Sequence, residues 1–251
     1  MISNHFVLVR GLIRSRFHWH EFPLALEQSI PSSTLHQFDI AGNGKRFTEP
    51  SPSSVAAMID DIQSQLLPRL KTLKADSKIH LIGISMGGMI ASGLAQRLID
   101  DGLPISSLHI INSSFCDQAH FWQRMKLDAG FSLFANLFNT EKREQGILNW
   151  TSNQADTEQY LPAWIGEAKA HPISLRNGVC QLLAASRYPL PKKPKTNCHI
   201  YSSKNDRLVD WRCSQSIAKQ WQCPLHVHTS AGHDLPLDAP RWLASLICQN
   251  L

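Results

Sequence analysis

The stretch Lys78-Ile79-His80-Leu81-Ile82-Gly83-Ile84-Ser85-Met86-Gly87-Gly88-Met89-Ile90-Ala91 decides how the chain is read. An apolar run rich in β-branched residues stops at Ile84, glycines flank a serine, and a second apolar run continues at helical spacing. A G-x-S-x-G pattern in this setting puts the serine on a sharp strand-to-helix turn, with Gly83 and Gly87 leaving room for the elements that pack against it. Such a turn pushes the hydroxyl of Ser85 into the open, and the helix behind it aims its first amides at the same point. Ser85 is the candidate nucleophile, and the amide of Met86 is a candidate donor to charge developing on a substrate oxygen. The plain alternative, a glycine-rich turn with a helix-capping serine, is weaker because a strand and a helix flank the motif.

Outward from this turn the chain alternates. His5 to Val9 reads as a buried strand ending at Arg10-Gly11, followed by a helix over Trp19 to Gln28, a strand over Thr34 to Ile40 and the glycine-rich turn Asp39-Ile40-Ala41-Gly42-Asn43-Gly44-Lys45. Ser51-Pro52-Ser53-Ser54 starts a helix whose apolar positions, from Val55 through Ile59, Ile62 and Leu66 to Leu70, recur at helical spacing. Strand Lys78 to Ile84, helix Gly87 to Asp101 and strand Ile105 to Asn112 complete the first part. Alternation resumes with a strand over Asn197 to Ser203, a helix over Trp211 to Trp221, a strand over Leu225 to Thr229 and a helix near Arg241 to Gln249. The fold class is α/β, a mostly parallel sheet of about six strands with helices on both faces. Its core is divided into residues 1–112 and 196–251, and residues 113–195, aromatic and helix-like, form an inserted helical cap.

Hydrophobic residues make up 43% and charged residues 18% of the 251, which suits a folded core and excludes a disordered chain. The formal charge is +5, but the basic residues are scattered, and Lys192, Lys193 and Lys195 are broken up by prolines as in a solvated linker. No nucleic-acid stripe is expected. The six cysteines show neither C-x-x-C nor zinc-type spacing, so no metal or cofactor is expected and the thiols read as reduced and mostly buried. With no signal-peptide pattern and no spanning apolar run, the expected location is cytoplasmic, without a membrane partner.

A serine needs a base to accept its proton. His233, in the small-residue loop after the last strand, can reach over the carboxyl edge of the sheet. His226 and His228 lie within that strand and suit structural roles, while His18 and His20, in the loop after the first strand, are reserve candidates. A carboxylate must hold the imidazole. Asp206, in the polar loop after strand Asn197 to Ser203, is preferred to Asp210, which reads as a helix N-cap. Asp234 and Asp238 lie too near His233 in the chain, and Asp238 also reads as a helix cap. The order serine, aspartate, histidine follows. The second amide for a substrate oxyanion falls to Leu12, after Arg10-Gly11.

With Gly83 to Gly88, the stretch Ser202 to Asp210, the terminal Ala231-Gly232-His233-Asp234-Leu235-Pro236 and the Asp-x-x-Gly-x-Gly turn at Asp39, the chain resembles the α/β-hydrolase superfamily over nearly its whole length, in particular its compact, capped esterase-like members. It departs from that pattern where Arg10-Gly11 replaces the usual His-Gly, and in lacking an N-terminal hairpin. The resemblance implies a serine esterase: Ser85 attacks, His233 carries the proton, Asp206 orients it, and the amides of Leu12 and Met86 hold the oxyanion. The substrate is a small-molecule carboxylic ester or thioester. Trp19, Phe121 and Trp122 are the substrate-pocket candidates, within a set of cap aromatics that includes Phe131, Phe134, Phe138, Trp150, Tyr160 and Trp164.

Three other readings are weighed. A basic, apolar-capped esterase also resembles the enzymes that cleave pimeloyl-carrier-protein methyl ester in biotin synthesis, with Arg124, Lys126, Lys142, Arg143 and Arg176 facing an acyl carrier protein. The menaquinone-pathway lyase branch uses the same constellation for elimination. A ligand-binding member without turnover is the reading from another class.

Overall fold

A computed structural model describes residues 3–74, 76–126 and 139–251. Six strands form one sheet: β1 (Asn4–Val9), β2 (Ser33–Phe38), β3 (Lys78–Ile84), β4 (Ile105–Ile111), β5 (Asn197–Ser203) and β6 (Leu225–His228). They pair in the order β2-β1-β3-β4-β5-β6, every pair parallel. The chain builds outward to β2 on one side of β1, then crosses to β3 and proceeds the other way. The crevice between β1 and β3, above their carboxyl ends, is the point where an open parallel sheet places its ligand.

Residues of alternate parity on each strand enter different cores, which is why the strands read as continuous apolar runs. Val7, Val9, Ile79, Leu81 and Ile110 meet α2 (Val55–Leu70) and α3 (Met86–Asp100). Phe6, Leu8, Ile82 and Ile84 meet α1 (Phe22–Ser29) and the last helix of the chain, Pro240–Gln249. Ser54 caps α2 by accepting the amide of Ala57 at 3.2 Å.

Between β4 and β5 the described residues hold four helices: α4 (Phe121–Arg124), α5 (Thr140–Thr151), α6 (Thr157–Ala170) and α7 (Leu175–Arg187). The core then closes with α8 (Trp211–Trp221), the short α9 (Leu235–Asp238) and α10 (Pro240–Gln249). Asp210 caps α8 as expected, accepting from Arg212 N at 2.9 Å.

Some local expectations are corrected. The helix expected from Trp19 begins at Phe22, because the chain first makes a 3₁₀ turn over Arg16–Trp19 and His20 takes a positive φ of 47°. Asp238 caps no helix. Its carboxylate accepts from Ser152 Oγ, from Asn153 N at 2.9 Å and from Gly232 N at 2.6 Å, fastening the His233 loop to the end of α5. The six thiols are free, but only Cys198 and Cys213 are buried, and Cys116 and Cys248 are exposed.

Every strand carries a histidine, and β6 carries two, His226 and His228. Those of β3 to β5 share one face with His226: His80 reaches His109 through Ser107 Oγ (2.6 and 2.7 Å), His109 meets Tyr201 Oη at 3.0 Å and stacks on His199, and His199 stacks on His226. Among the described residues no helix is long and apolar enough to cross a membrane.

Candidate active site

Ser85 stands between β3 and α3 with φ 57° and ψ −126°, a conformation that costs a non-glycine residue about 1–3 kcal/mol. The surroundings enforce it. Ser85 N donates to Ile111 O at 2.9 Å, while its carbonyl accepts from Gly88 N at 2.9 Å and from Ser113 Oγ at 2.8 Å. A Cβ on Gly83 would lie 2.2 Å from Gly87 O, and one on Gly87 would lie 2.1 Å from Val9 O. The glycines of the motif are therefore imposed by two backbone crossings, which satisfies the spacing argument in physical terms.

His233 lies in the loop between β6 and α9, held by Asn112 Nδ2, which donates to its carbonyl at 2.7 Å. Its Nδ1 is 2.7 Å from Asp206 Oδ2, both side chains being buried. The other carboxylate oxygen, Oδ1, accepts the amides of Leu208 (2.8 Å) and Val209 (2.9 Å), so Asp206 is fixed in the orientation that presents Oδ2 to the imidazole. Ser85 and His233 line one cavity of about 70 Å³, together with Gly11, Leu12, Ile147 and Leu208. No hydrogen bond joins Ser85 to His233 among the described residues; the two side chains share the wall of this cavity.

The loop after β1 approaches the same point, since a Cβ on Gly11 would be 2.9 Å from Ser85 Cβ. Leu12 follows in that loop, and Met86 is the first residue of α3, where the amide has no partner within the helix. Arg10, where the resemblance expects histidine, is buried and makes a bidentate pair with Asp234 at 3.0 and 2.6 Å. Burial pushes the Asp234 carboxyl up, but the charge and hydrogen bonds of Arg10 outweigh it and hold the group below its ordinary value, helped by His20 and His233.

The reserve histidines are occupied elsewhere and do not line the cavity of Ser85. His18 is buried against Ser15, with burial and then the charge of Arg14 holding it neutral, and His20 accepts from Trp164 Nε1 at 2.9 Å, its pKa lowered to about 4, first by burial. His226 stacks on Tyr201, and His228 accepts the amide of Ala231 at 3.0 Å, the structural roles expected of them.

A larger cavity of about 440 Å³ shares Leu12, Ile13, Arg14 and Ile147 with the small one. Among the described residues its walls combine aliphatic side chains, such as Ile173, Val179 and Leu182, with the charged Arg14, Arg143, Glu144 and Glu167, and hold none of the phenylalanines or tryptophans expected from sequence. Trp19 is fully buried, 5.5 Å from Phe22 and beneath the guanidinium of Arg10, so it is core. Trp122 is 59% exposed and stacks on His120. Packing takes these two rings off the pocket wall, whereas Trp150, among the cap aromatics weighed from sequence, lines the small cavity with Ser85 and His233. Phe121 opens α4, but its side chain lies outside what is described, as do Phe131, Phe134 and Phe138. Of the basic residues weighed as a carrier-protein surface, Arg124 donates to the carbonyls of Ala185 and Ser186, Lys126 to that of Asp206, and Arg143 to Glu144, whereas Lys142 and Arg176 are exposed.

Sequence reasoning missed the Arg10–Asp234 pair and Asn112. Asn112 has φ 43° and bridges β4, β5 and the His233 loop, accepting from Ser203 N at 2.9 Å. An asparagine directly after a strand, tolerant of positive φ, is the available signal.

A family model described as the alpha/beta hydrolase family matches residues 6–246, and the chain belongs to that family. Solved structures share the fold at low identity. A lipase-esterase related protein from Clostridium acetobutylicum is 18% identical with a TM-score of 0.73, covering 99% of this chain and 94% of its own. A hydrolase from Pseudomonas aeruginosa is 15% identical with a TM-score of 0.73, covering 98% and 89%. The RedJ thioesterase of the prodiginine pathway in Streptomyces coelicolor is 16% identical with a TM-score of 0.66, covering 100% and 89%. No curated protein matches the chain.

Proposed function

We propose that the protein is a serine hydrolase that cleaves a carboxylic ester or thioester through an acyl-enzyme. The observation that carries this reading is the hydroxyl of Ser85, on a strained turn, sharing one small cavity with His233, whose far nitrogen is 2.7 Å from a buried Asp206. In the proposed cycle the Ser85 oxygen attacks the acyl carbon while His233 takes its proton, and Asp206 fixes the tautomer and stabilises the imidazolium. The amides of Leu12 and Met86 receive the charge on the carbonyl oxygen. His233 then protonates the leaving oxygen or sulfur, and water hydrolyses the acyl-enzyme by the same steps in reverse.

The cavity of about 440 Å³ next to the site, where Ile173, Val179 and Leu182 stand beside the charged Arg14, Arg143, Glu144 and Glu167, supports an acyl chain of several carbons as the group held there. Hydrolysis of p-nitrophenyl esters of graded chain length by the native protein, Ser85→Ala and Asp206→Asn tests the proposal. Turnover that rises beyond acetate and is lost in Ser85→Ala supports it; turnover unchanged in Ser85→Ala refutes it.

A further inference from the structure

The loop that carries Leu12 is itself under strain. Arg14 N donates to Gly11 O at 3.4 Å, closing a four-residue turn in which Ile13 occupies the third position with φ 50°. That position of a turn with positive φ belongs to glycine or asparagine, and a β-branched residue there is an outlier. The turn would relax if the Leu12–Ile13 peptide rotated by half a turn, which would take Ile13 out of the positive region, turn the Leu12 carbonyl over and remake the turn that carries the Leu12 amide.

One contact opposes this rotation. Ile13 N donates to Gln181 Oε1 at 2.9 Å, and Gln181, from α7, is fully buried. Its amide nitrogen is also engaged, donating to Asn43 Oδ1 at 2.7 Å and to Ser51 Oγ at 2.9 Å, so the side chain cannot swing away without abandoning three bonds in the interior. Asn43 and Ser51 belong to the core loop around Gly42 and Gly44, while Val179 and Leu182 of the same helix line the large cavity. The helix that walls the cavity therefore also grips the turn beside Ser85.

We infer that Gln181 is a positioning residue that holds the Gly11–Arg14 turn, and with it the Leu12 amide, in the form that meets the substrate oxygen. This rests on the serine-hydrolase reading above. Asn177, one turn earlier on α7, ties the same helix to the core through Ser51 N (3.0 Å) and Glu49 O (3.0 Å) but, among the described residues, forms no hydrogen bond with the turn, and so separates positioning from anchoring.

The test is steady-state hydrolysis of p-nitrophenyl butyrate, with thermal unfolding of every variant. Gln181→Leu is expected to lower kcat by about tenfold or more, with KM changed less than about twofold, because a misplaced amide acts on the transition state. Ile13→Gly in the Gln181→Leu background is expected to restore kcat, since glycine takes the positive φ without help. If Gln181→Leu shows no unfolding transition, Gln181→Asn, which keeps the amide but falls short of Ile13 N, is read in its place. A kcat for Gln181→Leu, or for Gln181→Asn where it is read in its place, within about twofold of native, no recovery on adding Ile13→Gly, or an equal loss in Asn177→Ala, overturns the inference. Ser85→Ala run alongside separates the two levels: activity surviving in it defeats the hydrolase reading itself, whereas an inactive Ser85→Ala beside unaffected Gln181 variants defeats only the inference.

Discussion

The guanidinium of Arg10 and the carboxylate of Asp234 meet in two parallel hydrogen bonds, each side chain 4% exposed. The pair joins the residue before Gly11 to the residue after His233, so it couples the two loops that flank Ser85. Removing one partner leaves a charge without compensation in the interior, at a cost of about 3–5 kcal/mol. Arg10→Met and Asp234→Asn are each expected to lose that much in urea unfolding, and the double variant less than their sum. Additive losses would show that the pair is not a unit.

Glycines of the turn and glycines of solvent-facing helices are expected to respond in opposite ways. Gly87→Ala drives a Cβ to 2.1 Å from Val9 O, backbone that cannot yield, and is expected to lower stability by about 3 kcal/mol or more. Gly166, within α6, has nothing within 4 Å of the added carbon, and Gly166→Ala is expected to raise stability by up to about 1 kcal/mol. Thermal unfolding of the two variants beside the native protein checks both signs.

The histidine row across β3 to β6 makes stability depend on pH. Burial lowers the pKa of His226 from 6.5, and burial, with Lys78 and His5, takes His80 to about 4. In that interval the unfolded chain binds more protons than the folded one, so stability falls as pH is lowered from about 6.5 toward 4. Among the described residues His226 Nε2 is buried without a hydrogen-bond partner, so His226→Phe removes a titrating group with no described hydrogen bond lost at that nitrogen. Between pH 7 and 5 the midpoint of His226→Phe is expected to drop less than that of the native protein; an equal drop would remove His226 from the account.

The large cavity sets a prediction on chain length. Leu182→Trp fills the space beside Val179 and is expected to lower kcat/KM for an octanoate ester at least about tenfold more than for acetate. A uniform loss across chain lengths would place the acyl group elsewhere.

The sheet and the site differed in how far they could be read from sequence. Strands buried on both faces, such as Lys78 to Ile84, announce themselves as apolar runs, and the glycines around Ser85 report backbone crossings that no other residue allows. Asp206 and His233 were legible because short polar loops follow β5 and β6. The pocket was legible only in part: Trp150 lines the cavity of Ser85, but Trp19 and Trp122 share its composition, and only packing distinguishes a ring in the core or on the surface from one facing a cavity. Asp234 was passed over for its nearness to His233, yet its partner, Arg10, lies at the other end of the chain, and such a pairing leaves no local trace. Gln181 is invisible for the same reason, its three bonds reaching residues more than a hundred positions away.

The central claim, that Ser85 is a nucleophile activated by His233, is tested most directly by treating the folded protein with a fluorophosphonate and locating the adduct by mass spectrometry. A single phosphonyl group on the peptide containing Ser85, absent in Ser85→Ala and formed far more slowly in His233→Ala, is the predicted result. Labelling that persists in Ser85→Ala, or a native protein that takes up no label, would contradict it.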